Sequence, residues 1–141
     1  MNQQKYAFKN YIFDFYGTLV DIETDESSPV LWETMAQIYQ SYGALYTGDS
    51  LQVRYKELVQ QAEQSIAKEK QVTYPEIDLT VIFVQLYLES HPTGASVHHF
   101  KEWGRLIART FRVLSRKRLE LYPHTKEVLE EMKAAGCRIY L

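Results

Sequence analysis

The chain has 141 residues and a mass of 16.6 kDa, which suits one ordinary domain or a small domain with an insertion. Apolar residues make up 45% and charged residues 24%, proportions that exclude a disordered or collagen-like chain. The net charge of −2, the single cysteine and the lack of a signal-like or membrane-length apolar run predict a soluble cytoplasmic protein. We therefore expect neither a nucleic-acid nor a membrane partner.

The first predicted element is a short strand at residues 11–15 (YIFDF), which are aromatic, β-branched and apolar except for Asp14. Such continuous apolar strands are typical of parallel sheets that are covered on both faces. Tyr16, Gly17 and Thr18 follow at once and predict a tight loop. Acidic residues from 21 to 26 then predict an exposed loop.

Four helices are predicted next. The first begins at Ser28-Pro29, a capping hydroxyl followed by a first-turn proline, and ends at Gly43. The apolar spacing predicts the others from about residue 49 to 70, at 78–88 despite a strand-like composition, and from about Ser96 to 114, with a turn at 91–94.

The C-terminal part returns to a strand. Residues 119–122 are expected to form a connector, Pro123 to open a fifth helix that Gly136 closes, and residues 137–141 to begin a strand. The pattern is a strand–helix–strand unit that carries a long helical insertion. It predicts core segments at 1–21 and 122–141 and a helical domain at 22–121.

Asp14 is the residue to which chemistry is most readily assigned. A carboxylate at the end of an apolar strand is costly to bury without a partner. In open α/β sheets, ligands bind beyond the carboxyl ends of the strands, so Asp14, at that end of its strand, is expected where a catalytic group would sit. Gly17 permits a tight turn close to a ligand, and Thr18 offers a hydroxyl and a backbone N–H in the same loop.

These residues resemble a known family. Residues 11–21 are similar to the first motif of the haloacid dehalogenase-like (HAD) hydrolase superfamily, a hydrophobic strand followed by Asp-x-Asp-Gly-Thr-Leu-x-Asp. Residues 121–141 resemble the helix and strand that lead to the second motif, and the stretch between resembles the inserted α-helical cap. The resemblance implies an α/β fold: a partial Rossmann-like core with a large helical cap, predominantly helical overall.

The resemblance also implies roles. Asp14 would be the nucleophile that forms a covalent aspartyl intermediate. Asp14 and the backbone carbonyl of Tyr16 would bind Mg²⁺, while Gly17 and Thr18 would belong to the phosphate loop. The Tyr16 side chain stands where most phosphatase members carry a catalytic aspartate, the general acid for the leaving group. The implied substrate is a small phosphorylated metabolite.

Two departures leave alternatives open. A tyrosine at position 16 is familiar from the dehalogenase branch, but Arg54, the first arginine after Asp14, lies further along the chain than that branch's arginine. The second, third and fourth motifs would lie past Leu141, so this chain by itself is expected to be inactive and to expose a core strand that could self-associate. A 2-haloacid dehalogenase and a non-catalytic helical interaction module are the alternatives.

Overall fold

A computed structural model describes residues 6–90 and 97–141. The protein is a mixed, predominantly helical structure with five helices and four short strands in these ranges. In chain order they are β1 (Asn10–Ile12), β2 (Val20–Thr24), α1 (Pro29–Ser41), α2 (Gly48–Lys70), α3 (Leu79–Glu89), α4 (Phe100–Ser115), β3 (Arg116–Leu121), α5 (Thr125–Ala134) and β4 (Arg138–Tyr140). The predicted turn at 91–94 and the predicted helix start at Ser96 lie outside the described residues.

The chain divides into two compact units. The strand unit comprises Met1–Asp25 and Arg116–Leu141, and the helical unit comprises Glu26–Ser115. The segments 22–25 and 116–121, which the sequence assigned to the helical insertion, therefore belong to the strand unit. Among the described residues, no helix is both long enough and apolar enough to cross a membrane.

In the strand unit, β1 and β4 form a parallel pair in which Tyr11 lies opposite Ile139. The predicted strand at 11–15 was too long, because β1 ends at Ile12 and the Phe13 N–H makes a last hydrogen bond to the Tyr140 carbonyl at 2.9 Å. In the described part of the chain β1 pairs with β4 alone. Ile12 is 81% exposed, as expected for a core strand with bare apolar faces.

Two segments predicted as irregular, the acidic loop and the connector at 119–122, are strands instead. β2 and β3 form an antiparallel ribbon in which Val20 pairs with Leu121. Arg118 forms ion pairs with Asp21 at 2.9 Å and with Glu23 at 3.4 Å across the ribbon. Cross-strand charge pairs of this kind stabilise a ribbon whose side chains are largely exposed.

The fifth helix begins two residues later than predicted. Pro123 precedes it, and His124 is its N-cap in a left-handed conformation, with a φ of 66°. Gly136 follows the helix with a φ of 83°, which matches its predicted role as the stop. β4 then follows at once, so the predicted helix–strand order is confirmed.

Local signals explain the ends of the helices in the helical unit. Pro29 lies in the first turn of α1, as predicted, but the predicted cap is wrong, since the Ser28 hydroxyl makes no capping hydrogen bond. Thr47 and Ser50 form a reciprocal capping box at the start of α2, and the Asp78 carboxylate accepts a hydrogen bond from the Thr80 N–H at the start of α3. The segment 78–88, ambiguous by composition, is therefore a helix as predicted.

The core of the helical unit is aromatic. The Phe111 ring lies 5.2–5.4 Å from the rings of Trp32, Tyr55 and Phe83. The Tyr39 hydroxyl donates to the Phe83 carbonyl at 2.7 Å, which satisfies the polar end of a buried ring. Burial raises the pKa of Tyr39 far above its usual value, so this hydroxyl stays neutral at physiological pH.

Candidate functional site

The candidate site lies in the loop that follows β1. Asp14 stands two residues beyond Ile12, past the carboxyl end of the strand, whereas the sequence predicted it within the strand, next to its last residue. Asp14 is exposed, however, so the expectation of a buried carboxylate at this position was wrong. The position of Asp14, and not its burial, is the observation that indicates a role.

The loop after Asp14 is held by backbone hydrogen bonds that converge on one carbonyl. The N–H groups of Leu19 and Val20 both donate to the Phe15 carbonyl, at 2.9 and 3.1 Å. The Gly17 N–H donates back to the Val20 carbonyl at 2.8 Å. Gly17 has a φ of +75°, a conformation that glycine adopts without steric cost. The tight turn predicted from Gly17 is therefore present.

Thr18 and Tyr16 contribute differently from the prediction. The Thr18 N–H makes a long hydrogen bond of 3.4 Å to the Phe15 carbonyl, so this donor is directed into the loop itself. The Tyr16 ring is 55% exposed and packs edge-to-face on Phe15, with the ring centroids 5.0 Å apart. Both side chains remain accessible to a ligand, since Thr18 is also exposed.

A cavity of about 240 Å³ joins the loop to the start of α5. Its lining includes Thr18, Leu19, His124 and Thr125, whereas Asp14 does not belong to it. The Thr125 hydroxyl and the Tyr122 N–H both donate to the Leu19 carbonyl, at 3.2 and 3.1 Å. These bonds fix the loop against the helix start. Sequence reasoning missed this neighbourhood, because a contact across about a hundred residues leaves no local pattern.

The residues present fit only part of a magnesium site. Asp14 supplies one exposed carboxylate and Tyr16 one backbone carbonyl in the same loop. In the described part of the chain, no three His, Cys, Asp or Glu side chains group together as metal ligands. Magnesium accepts one or two carboxylates when substrate phosphate and water complete its octahedron. Asp14 and the Tyr16 carbonyl are thus two oxygen groups that could hold a magnesium ion beside substrate phosphate and water.

Arg54 is fully engaged inside the helical unit. Its guanidinium donates to both carboxylate oxygens of Glu89, at 2.7 and 2.9 Å, and to Glu57 at 2.7 Å. The hydrogen bonds from Arg54 hold the pKa of Glu89 below its usual value, despite an opposing effect of burial. A bidentate pair of this kind leaves the guanidinium little capacity for another anion.

Comparison with known proteins yields no match: no protein-family model, no curated protein and no solved structure is similar to the chain.

Proposed function

We propose that this chain is the N-terminal portion of a HAD-like hydrolase, a partial core with an inserted helical cap, and that the complete site hydrolyses a small phosphorylated metabolite. The supporting observation is the location of Asp14, in an exposed loop directly past the carboxyl end of a strand from a parallel pair. Gly17, at a φ of +75°, turns the backbone immediately after it.

In this proposal the Asp14 carboxylate attacks the phosphorus atom and the bond from phosphorus to the leaving oxygen breaks, which gives a phosphoaspartate. Water then attacks the same phosphorus atom, the bond from phosphorus to the Asp14 oxygen breaks, and phosphate and the free carboxylate are released. A carboxylate nucleophile divides one difficult displacement into two easier steps. Gly17 lets the backbone approach the phosphoryl group, and the exposed Thr18 hydroxyl donates to one of its oxygens. Mg²⁺, held by Asp14 and the Tyr16 carbonyl, would neutralise charge on the phosphoryl oxygens when bound.

Tyr16 defines the type of substrate in this proposal. A phenol is a weaker acid than a carboxylic acid, so a tyrosine is a poorer proton donor to the leaving group than the carboxylic acid of most phosphatase members. Hydrolysis should therefore favour aryl and acyl phosphates, whose leaving groups need no proton. We expect Tyr16→Asp to raise the rate on alkyl phosphates and to change that on aryl phosphates little.

The dehalogenase alternative has less support. It requires an arginine that receives the halide and the substrate carboxylate. Arg54, the first arginine after Asp14, already binds Glu89 and Glu57. A phosphatase-type reaction needs no such residue in the cap. For this reason we place phosphoryl transfer first.

The decisive experiment uses the complete reading frame that contains these 141 codons. The expressed protein is assayed with aryl, acyl and alkyl phosphates in the presence of Mg²⁺, and with 2-chloropropionate in its absence. We expect phosphate release that Asp14→Asn abolishes and that Asp25→Asn, an acidic control in the same unit, preserves. Chloride release without metal would instead support the dehalogenase.

The 141-residue chain by itself tests the expectation that this part of the protein is inactive. It should show no turnover, because an aspartate without a positioning lysine and acidic partners lacks charge neutralisation. A reading frame that stops at codon 141, together with an inert protein, would favour the helical interaction module. Magnesium-dependent turnover by the short chain that survives purification and is lost in Asp14→Asn would show that it needs no further residues.

A further inference from the structure

The helical unit carries an apolar groove between α3 and α4 that the proposed hydrolase chemistry does not use. The groove has a volume of about 480 Å³, within the usual range of ligand pockets of about 300–1,000 Å³. Its apolar lining comprises Val81, Val84, Leu88 and Phe100. Val81 is 58% exposed and Leu88 50% exposed, so the folded unit leaves apolar surface uncovered here.

A glycine forms a close contact between α3 and α4, the two helices that carry this groove. A Cβ atom on Gly104 would lie 2.5 Å from the Val84 Cγ2 atom and 2.9 Å from the Thr80 carbonyl oxygen. Only glycine therefore lets α4 approach α3 this closely. Both Thr80 and Val84 line the groove, so this close contact between the helices borders it.

Two cations stand along one side. Lys101 and Arg105 lie one turn apart on α4, are exposed and line the groove. Neither forms an ion pair with a described residue. Residues 1–5 and 91–96, which lie outside the described ranges, contain no Asp or Glu. Among the residues that line the groove, Asp78 is the one acidic side chain, and it forms no ion pair with either cation.

From this arrangement we infer that the α3–α4 groove binds an aliphatic carboxylate, with the chain on Val81, Val84 and Leu88 and the head group at Lys101 and Arg105. The Asp78 carboxylate also lines the groove and accepts a hydrogen bond from the Thr80 N–H. Its negative charge favours a singly charged carboxylate over a phosphate of nearly two charges. The site does not depend on Asp14 or on the proposed hydrolase activity.

The test is titration of the 141-residue chain with decanoate below its micelle concentration, followed by calorimetry and by amide chemical shifts. We expect saturable binding with shifts confined to α3 and α4. Acetate, which lacks the chain, should not bind, and decyltrimethylammonium, which reverses the charge, should bind at least about fivefold more weakly. Equal affinity for decanoate and the ammonium compound would overturn the proposal, as would shifts elsewhere.

Variants separate the two halves of the site. The double substitution Lys101→Gln/Arg105→Gln should weaken decanoate binding about three- to tenfold, since exposed ion pairs contribute little each. Leu88→Ser should weaken it about tenfold. Arg109→Gln, an exposed cation on the same helix outside the groove, is the matched control and should leave binding unchanged. If Arg109→Gln lowers decanoate affinity as much as the double variant does, the net charge of the protein explains the effect. That result would contradict the assignment of the head group to Lys101 and Arg105.

Discussion

The two units of this protein differ in how completely they bury their apolar residues. The helical unit encloses a continuous cluster in which Met35, Tyr39, Phe83 and Phe111 are fully buried. Among the described residues of the strand unit, only three apolar side chains are buried: Leu19, Val20 and Met132. The candidate nucleophile therefore stands in the less consolidated unit.

The well-packed helical unit is thus distinct from the unit that carries the candidate nucleophile. Apolar burial is the main favourable term in folding, so the buried core of the helical unit can stabilise that unit without other residues. The strand unit relies on a short parallel pair, a charged ribbon and one helix. A unit with so few buried apolar contacts can unfold locally at a low cost in free energy.

The largest expected effect breaks the helical core. Phe111→Ala removes a ring packed among Trp32, Tyr55 and Phe83 and should lower the free energy of unfolding by about 3–5 kcal/mol. Ile12→Ala in β1 is the matched change in the other unit and should cost less than about 0.5 kcal/mol, because Ile12 is 81% exposed. Urea unfolding followed by circular dichroism measures both.

Phe111→Leu, which keeps most of the volume, serves where the alanine variant fails to fold, and its loss should be smaller. Equal losses in Phe111→Ala and Ile12→Ala would contradict the proposed division of stability.

An intermediate effect is expected at the contact between α3 and α4. In an exposed helix, Gly→Ala stabilises by about 1 kcal/mol. Gly104→Ala should have the opposite sign, a loss of about 1–3 kcal/mol, because its Cβ would overlap the Val84 side chain and the Thr80 carbonyl. Arg109→Ala on the exposed face of α4 is the control. Stabilisation of both variants in thermal unfolding would show that the helices separate freely.

A smaller effect concerns the ion pairs of Arg54. Glu89→Gln removes a bidentate partner and should cost about 1 kcal/mol, whereas Glu57→Gln removes one exposed i,i+3 contact and should cost about 0.3 kcal/mol. The pKa of Glu89 is depressed in the folded protein. Its contribution is therefore present above the unfolded pKa of about 4.3 and is lost as the pH falls through the lower folded value.

Unfolding curves recorded between neutral and acidic pH measure the contribution of ionised Glu89 to the free energy of unfolding. The difference between wild type and Glu89→Gln should shrink as the pH falls below about 4.3. A difference that is constant with pH would show that the variant acts through packing and not through charge.

The sequence predicted the helices well because their signals are local. Pro29 at the first turn of α1 and Gly43, with its φ of 89°, are readable without any tertiary contact. The α3 segment was resolved as a helix by its length and position despite its β-branched residues. Such assignments depend on residues three or four positions apart, which a single sequence displays.

The ribbon and the site neighbourhood were harder to predict. Val20, Ile22, Leu119 and Leu121 alternate with charged residues, a period-two signal that the acidic composition obscured. The pairing of Val20 with Leu121 is invisible locally, as is the cavity shared by Thr18 and His124. The sequence placed Asp14 near the carboxyl end of the first strand, but the shorter length of β1 and the exposure of Asp14 depend on which neighbours cover the strand.

Amide hydrogen exchange of the 141-residue chain tests the central comparison most directly. Peptides from α1 and α4 should exchange slowly, because their helices enclose the aromatic core. Peptides spanning residues 10–16 should exchange at near-unprotected rates, since in the described part of the chain β1 pairs with β4 alone and Ile12 is exposed. Protection of residues 10–16 equal to that of α1 in a monomeric sample would contradict the account.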